Sequence, residues 1–370
     1  MAETTTLETP SRERGFRHRG RTSQIPIYLG KQFRFFVNES DWKVLPMAAI
    51  IAALVALVIR KRLFINMEGS LMGAFALACV AIWNGCFNSI QAVCRERQII
   101  KREHRSGMHI TSYVAAHMIY QFLLCLAQTG VTMYVLQAGG IQFPEKGFMT
   151  PFMILDVGIS MLLIAYASDM MSLFISSVSR TTTGAMTVMP FVLIFQLVFS
   201  GGILPLPEWV QPLSKLTVSS YGIRAIAAQS GYNELPMVSA WNTLSGMRDT
   251  EIGGEVTADQ LLTILDSEAV SGQSPVLAET VKAIRADSAL RGDLSRPVTV
   301  KLTVGELLEM FGEERVRTLV QTKTAEASRK PEYEKSVRNI VGNWLMLGLF
   351  IAVFAGLAIL SLELIDKDRR

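Results

Sequence analysis

Charged residues are scarce in this sequence, and they are not arranged as in nucleic-acid-binding proteins. Only 18% of the 370 residues are Asp, Glu, Lys or Arg, whereas 50% are hydrophobic and the mean hydropathy is +0.31. This composition is unusual for a soluble chain and favours a membrane protein. The basic residues flank apolar segments and form no stripe with interleaved aromatics, so we expect no nucleic-acid partner.

Cysteine and histidine are also scarce, with four of each. The cysteines lie within or at the ends of apolar segments, which predicts no disulfide-stapled outer domain. No CxxC or HExxH pattern occurs, so we expect no metal site. The cysteines are Cys79, Cys86, Cys94 and Cys125.

The phosphate-binding pattern GxxxxGK[ST] is missing as well. That loop needs its glycines in order to wrap backbone amides around the phosphates of a nucleotide. We therefore expect no catalytic residues and no cofactor bound by this chain. If ATP drives the protein, ATP and Mg must be held by another polypeptide.

The sequence does contain a series of apolar segments of roughly the length needed to cross a bilayer core of about 30 Å. They predict an all-α polytopic membrane protein with six transmembrane helices, five of them within residues 41–230 and the last within residues 338–370. The predicted spans are residues 44–59, 71–93, 109–136, 148–178, 185–199 and 341–364.

The region before the first span divides into two parts. Residues 1–22 are polar, basic and without periodicity, which is typical of a disordered cytosolic tail. In residues 23–40, Ile25, Leu29 and Phe33 recur at helical spacing, which predicts an amphipathic helix at the membrane interface.

Two further regions are not simple spans. Residues 200–229 are half apolar but broken by glycines and prolines, so we expect short re-entrant outer helices. Residues 231–337 are predicted to form a small extracytoplasmic α+β insertion. Capping-box spacings occur at Thr257–Gln260 and Thr303–Glu306, and residues 298–304 alternate as a strand does.

The short loops set the expected orientation, because lysine and arginine accumulate on the cytosolic side. With both termini cytosolic, that side collects the basic residues of the N-terminal tail and of the loop after the second span. The exception is the basic cluster at residues 60–62, which falls outside; we expect it to reach the outer headgroups.

Residues 95–107, RERQIIKREHRSG, alternate charges of both signs around Ile99 and Ile100. A solvated connection needs no adjacent isoleucines. A short helix that docks into a partner's groove would use them, with charges at the rim. A helix on the membrane surface would use them as well, and the residues alone leave both interpretations open.

Three stretches together resemble a known family: ERQIIKREHRSGMHITSYV, ISSVSRTTTGAM and FSGGILPLPEWVQPLSKLTVSSYGIRAIAAQ. Their order and spacing resemble the ABC-2 type permease family, in particular its G-subfamily-like branch, also called type V exporters. The resemblance covers residues 24–230 and 338–366. The outer insertion is larger than is typical for that family, and the ATPase that many relatives carry is absent from this sequence.

The resemblance implies that two permeases pair, as a homo- or heterodimer, each with an ABC nucleotide-binding ATPase subunit. Residues 23–40 would be the connecting helix and residues 95–107 the coupling element, with Arg102 and Glu103 matching the family's R-E pair. The residues implied to couple to the ATPase are Glu96, Ile99, Ile100, Arg102 and Glu103.

The resemblance also implies a substrate cavity at the dimer axis, between the second and fifth spans. The asparagines at 84 and 88 share a helix face and could equally bond to neighbouring helices. The phenylalanines could instead pack against other side chains without contacting a substrate. The corresponding residues are Trp83, Asn84, Phe87, Asn88, Met189, Phe191, Phe195 and Gln196.

The expected function is the permease of an ATP-driven exporter that moves an amphipathic or lipid-linked substrate by alternating access. The expected location is a bacterial plasma membrane, in contact with membrane lipid. Two alternatives stay open: a membrane-anchored receptor that uses the outer domain, and a lipid-modifying membrane enzyme. Asp156 and Asp169, acidic residues of the fourth span, either relay protons, or face a polar partner or lie near the membrane interface.

Overall fold

The computed structural model describes residues 20–38, 41–60, 62–202, 206–257 and 297–364. Within these ranges the protein is mostly helical, with one two-stranded sheet. The predicted tail lies outside the described residues up to residue 19. The helices are α1 Arg21–Asn38, α2 Val44–Ile59, α3 Met67–Ser89, α4 Ala92–Arg105, α5 Ile110–Ala138, α6 Met153–Val178, α7 Thr182–Val198, α8 Gln211–Ser214, α9 Val218–Gln229, α10 Ser239–Gly246, α11 Val304–Phe311, α12 Glu313–Ala327 and α13 Val337–Glu363, and the strands are β1 Glu251–Thr257 and β2 Pro297–Thr303.

Five helical segments in the described part of the chain are long and apolar enough to cross a membrane: Asp41–Ile59, Met67–Arg105, Ile110–Ala138, Met153–Val178 and Val337–Glu363. The chain is therefore a multi-pass helical membrane protein. The remaining predicted span, α7, has 17 residues. At 1.5 Å per residue it is about 25 Å long, slightly shorter than the hydrocarbon core.

The start of α3 lies four residues before the predicted Leu71, because a polar side chain caps the helix. The side-chain oxygen of Asn66 accepts a hydrogen bond from the backbone N–H of Gly69 at 2.7 Å. Such a cap satisfies one of the donors that a helix leaves unpaired in its first turn.

The start of α6, by contrast, lies five residues after the predicted position 148. The carboxylate of Asp156 accepts three backbone N–H groups, from Phe148 at 2.6 Å, Met149 at 2.9 Å and Thr150 at 2.8 Å. These bonds hold the preceding residues as a loop. Of the two interpretations of this acidic residue, the polar-partner one fits: the side chain is a structural anchor.

The helix α6 lies at the centre of the membrane part and packs against α3, α5, α9 and α13. Two close approaches depend on glycine. A Cβ atom on Gly85 of α3 would overlap the carbonyl oxygen of Ala165, and one on Gly222 of α9 would lie 2.6 Å from the side chain of Ile164. Small residues at such crossings let helix backbones approach closely in a membrane.

The segment after α7 contains two short helices, α8 and α9. All but one of the 12 residues of α9 are buried, and the helix packs against α3, α6 and α13. At about 18 Å it is too short to cross a bilayer. Residues 203–205 of this segment lie outside the described part.

The described part of the insertion consists of α10, the strands β1 and β2, α11 and α12. The strands pair antiparallel, with Glu251 opposite Thr303 and Thr257 opposite Pro297. The capping box at Thr303 is present: Glu306 N–H donates to the Thr303 hydroxyl at 3.2 Å, and Thr303 N–H donates to the Glu306 carboxylate at 2.8 Å. The other capping-box spacing, 257–260, extends beyond the described residues.

The insertion is joined to the membrane helices through the first turn of α3. The carboxylate of Glu68 accepts the backbone N–H groups of Val238 at 3.1 Å and Ser239 at 2.8 Å. On the other side, Arg224 of α9 forms a 2.9 Å ion pair with Glu332. Both junctions lie at the end of the bundle where α2 meets α3.

Candidate functional site

At the opposite end of the bundle, α3 continues almost directly into α4, with only Ile90 and Gln91 between them. The side-chain oxygen of Ser176, near the end of α6, accepts hydrogen bonds from the backbone N–H groups of Val93 and Cys94, each at 3.1 Å. These two donors belong to the first turn of α4, which has no partner for them within the helix. Ser176 therefore fixes the start of α4 to α6.

Arg97 joins the middle of α4 to the end of α6 as well. The guanidinium of Arg97 donates to the backbone carbonyl oxygens of Ser177 at 2.7 Å and Ser179 at 3.2 Å. The last carbonyls of a helix lack partners within the helix and carry its partial negative charge, so a guanidinium is a favourable partner.

The helix α1 holds α4 and the following turn from the other side. The ammonium of Lys31 lies 2.9 Å from a carboxylate oxygen of Glu96, which is only 5% exposed. The side chain of Gln24 accepts the backbone N–H of His109 at 2.9 Å and donates to the carbonyl of Gly107 at 3.2 Å. The α4–α5 turn is thus bound to α1 at Gly107 and at His109.

Further contacts run along α1 and the first half of α5. The hydroxyl of Ser112 donates to the carbonyl of Arg21 at 2.7 Å. The amide nitrogen of Gln32 lies 2.9 Å from Nε2 of His117, so the amide donates to that ring nitrogen. With α4 and the end of α6, these helices form one connected unit.

An aromatic contact closes the space between α1, α4 and α5. The rings of Tyr28 and Tyr113 meet edge to face with centroids 5.8 Å apart. Burial, together with the negative charge and hydrogen bonding of the nearby Glu103 carboxylate, raises the pKa of Tyr28 to about 12. The phenol therefore stays protonated at physiological pH and donates to Glu103.

The residues implied to couple to an ATPase divide between two faces of α4. Ile100 is fully buried in a cluster with residues of α5, α6 and α13, and Glu96 and Glu103 point to the same side, toward α1. Ile99 is 39% exposed and Arg102 is exposed. We call the exposed side the outward face of α4; it consists of Arg95, Gln98, Ile99 and Arg102.

The implied cavity residues on α3 also divide. Trp83 and Phe87 are 41% and 49% exposed, and their rings lie 5.9 Å apart on the outer surface of the helix. Asn84 is buried. Asn88 forms two amide hydrogen bonds with Gln128 of α5, at 2.8 and 3.1 Å. Asn88 therefore bonds to a neighbouring helix, which was the alternative to lining a cavity.

On α7 only a narrow strip is buried, formed by Ala185, Met189, Leu193 and Gln196. The side chain of Gln196 accepts the N–H of Ser219 at 3.3 Å, and the hydroxyl of Ser219 donates to the carbonyl of Gln196. Phe191 is 71% exposed, and Phe195 is half-buried against Phe199, with ring centroids 4.9 Å apart. Asn88 and Gln196 of the implied cavity thus bond within the chain, and the aromatic members are mostly exposed.

Several residues of this site carry no signal that sequence reasoning could have used. Lys31 and Glu96 are 65 positions apart, and Gln24 and His109 are 85 apart. In the sequence, Ser176 is one serine of an apolar span, and Arg97 is one of several arginines in a charged loop. Neither position indicates a partner. Their partners are set by the way the helices pack.

The fold and this site define a class: multi-pass helical membrane proteins in which a short polar helix follows the second span and is bound by the helix that precedes the first span. The family model for ABC-2 type transporters matches residues 31–229, which is more than half of the chain and runs from α1 to the end of α9. The chain belongs to the ABC-2 type transporter family, and its matched part is the membrane domain of that family.

A characterised relative is the ABC transporter ATP-binding/permease protein of Mycobacterium tuberculosis. The two are 26% identical over 150 residues, which is 40% of this chain but only 17% of the relative. The chain therefore matches a small part of that longer protein, whose name includes both an ATP-binding and a permease function.

Proposed function

We propose that this chain is the permease of an ATP-driven ABC exporter and that a separate ABC subunit binds ATP and Mg and hydrolyses the ATP. The family membership supports the permease role. The single observation that carries the coupling role is the construction of α4: one face is bonded to α1 and α6, and the outward face is left exposed.

The outward face has the chemistry of a docking surface. Ile99 is a compact apolar contact, and Arg95, Gln98 and Arg102 surround it with charge and polarity. An apolar centre with a polar rim is the usual arrangement of a specific protein interface. The ATPase subunit is the partner that we propose for it.

Movement of α4 would reach the membrane helices by direct connections. The short link at Ile90 and Gln91 leads into α3, Ser176 and Arg97 lead into α6, and the Lys31–Glu96 ion pair leads into α1. Closure of the ATPase subunits would then rock these helices as a unit. This supports alternating access between two arrangements of packed helices.

We propose six spans, with α7 as the fifth, and both termini in the cytosol of a bacterial plasma membrane. A helix slightly shorter than the bilayer core is accommodated by local thinning of the bilayer or by association with other helices. This topology puts α4 on the cytosolic side, where an ATPase works, and puts the insertion outside. The re-entrant role of α8 and α9 belongs to the same proposal.

We propose that a second permease copy covers the exposed aromatic side chains of α3 and α7, and that an amphipathic or lipid-linked substrate passes between the copies. Trp83, Phe87 and Phe191 support this, because large apolar side chains suit such a substrate and such an interface alike.

The test is co-purification of the tagged chain from its native host in mild detergent, with partners identified by mass spectrometry. We expect an ATP-binding cassette subunit with the wild type and a loss of at least tenfold with Ile99→Ala/Arg102→Ala. The matched control is Arg315→Ala/Leu319→Ala, which removes the same two kinds of side chain from the outer domain.

Recovery of the ATPase should be unchanged in the control. If no ATPase accompanies the folded wild-type chain, the transporter proposal loses its energy source. If the ATPase is retained by the α4 variant but lost by the control, the docking surface has been assigned to the wrong side of the membrane.

A further inference from the structure

At the end of the bundle away from α4, α2 and α3 enclose an apolar crevice of about 490 Å³. One lining residue is charged, Arg62, and it lies at the membrane-boundary end, in the turn that joins the two helices. The rest of the lining is uncharged and includes Val58, Gly69, Met72, Ala76 and Trp83.

The crevice is open to the membrane rather than filled by the chain itself. Val58 is 72% exposed, Met72 49% and Trp83 41%. These side chains lie on helices that cross the bilayer, so a hydrocarbon chain is the ligand class that such a lining accepts. Water is disfavoured there, because the lining offers it almost no hydrogen-bonding partners.

Hydrogen bonds hold the described part of the turn that carries Arg62, residues 62–66. The N–H of Arg62 donates to the carbonyl of Ile59 at 3.0 Å, and the N–H of Phe64 donates to the hydroxyl of Ser70 at 2.9 Å. Phe64 has a φ of 64°, a left-handed conformation that is uncommon for a bulky residue and costs energy. A Cβ atom on Gly69 would lie 2.5 Å from the carbonyl oxygen of Arg62, so the turn rests directly on α3.

The charge of Arg62 is exposed, and among the residues that the structure describes no carboxylate forms an ion pair with it. A guanidinium presents a planar fork of donors that matches a phosphate group, and at a membrane boundary the phosphates are those of lipids. The turn thus places a guanidinium at one end of an apolar crevice.

We propose that this crevice binds one acyl chain of an anionic phospholipid from the bilayer, with the lipid phosphate paired to Arg62. The site is separate from the outward face of α4 and from the exposed aromatic side chains of α7, and it shares Trp83 with the surface proposed for the second copy. It does not depend on transport, so its test is a binding measurement that stands whether or not the chain is an exporter's permease.

The experiment is native mass spectrometry of the full chain in mild detergent. Phosphatidylglycerol and phosphatidylcholine with identical acyl chains are added in turn, and inorganic phosphate is added in a third sample. We expect one retained phosphatidylglycerol per protomer, weaker retention of phosphatidylcholine and none of phosphate. Retention of phosphate alone would show an anion site without an acyl chain and would overturn the proposal.

Two kinds of variant separate the parts of the site. Arg62→Gln should reduce retention of phosphatidylglycerol about fivefold, as expected for one basic residue at a lipid surface. It should reduce retention of phosphatidylcholine less, because the choline cation of that lipid offsets the charge of its phosphate. The matched control is Lys146→Gln, which removes an exposed charge from the α5–α6 loop. An equal loss in both variants would mean attraction of lipid to the charged surface in general and would contradict a site.

Filling the crevice tests the acyl chain. Ala76→Phe should abolish retention of both lipids, and the more exposed substitution Met72→Trp gives the same test with less risk to folding. Undiminished binding in a folded Met72→Trp variant would put the acyl chain elsewhere. The same spectra resolve dimers: if monomers bind lipid and dimers bind none, a second copy occupies the crevice and the proposal is wrong.

Discussion

The helices α4 and α7 both expose one side, but they are held to the rest of the molecule in different ways. The start of α4 is capped by Ser176, its middle is bonded through Arg97, and Glu96 pairs with Lys31 of α1. By contrast α7 is held by a strip of four buried residues, of which Gln196 is the one with amide hydrogen bonds.

This difference indicates different tasks. A helix joined by charged and polar bonds to its neighbours moves with them. Since α4 is bonded in this way to α1 and α6, it is suited to passing a force from a partner into the bundle. A helix with a narrow apolar strip and an otherwise exposed surface is suited to contact with lipid or with another protein. We therefore interpret the exposed face of α4 as a contact for a partner that moves it, and the exposed surface of α7 as a contact for lipid or another protein.

The largest effect should follow from breaking the ion pair that binds α4 to α1. We expect Glu96→Gln to lower the free energy of unfolding by about 3 kcal/mol, the lower end for a broken buried pair, because Lys31 is partly exposed. Unfolding of the purified chain in mixed detergent and SDS micelles measures this. The double variant Lys31→Gln/Glu96→Gln should recover part of the loss.

The double-mutant cycle decides whether the two residues act together. Strictly additive losses would mean that the ion pair does not join the helices, and α4 would then be held by its bonds to α6 alone.

The next effect distinguishes the two sides of α7. Met189→Ala removes a side chain that is 3% exposed, and we expect a loss of about 2 kcal/mol. Phe191→Ala removes one that is 71% exposed, and the stability of the monomer should change by less than about 0.5 kcal/mol. The same micelle titration applies. A large loss for Phe191→Ala in the monomer would show that α7 is held on more than one side.

A smaller effect is expected for the amide pair of α3, the helix that continues into α4. Asn88→Leu leaves the Gln128 amide without its partner and should cost about 1 kcal/mol, a typical value for a bond between membrane helices. Because replacing both partners removes the unpaired group, Asn88→Leu/Gln128→Leu should restore most of the stability. A stable double variant that fails to transport would instead assign Asn88 to the cargo path.

The spans were predictable from the sequence wherever apolar runs are bracketed by charge. The prediction of residues 44–59 agrees with α2, because Lys43 and Arg60 flank that run. The start of α6 was wrong by five residues, since the Asp156 carboxylate turns an apolar stretch into a loop. Composition does not reveal such a bond, because it depends on where the chain folds back.

The candidate site was predictable only in part. The position of α4 follows from the charge pattern of residues 95–107, but its two faces do not. Ile99 and Ile100 are adjacent and chemically identical, yet one is exposed and the other is buried against α5, α6 and α13. That assignment depends on the direction in which α3 and α6 bring the helix into the bundle.

The most direct test of the coupling role is site-specific photo-crosslinking in native membranes. A photoreactive phenylalanine analogue is placed at Ile99, at Arg102 or, as a control, at Phe191 on α7. We expect an adduct with an ATP-binding cassette subunit from positions 99 and 102, changed in yield when ATP is trapped, and none from 191. Adducts with lipid alone at positions 99 and 102 would contradict the assignment of α4 as the helix that meets the ATPase.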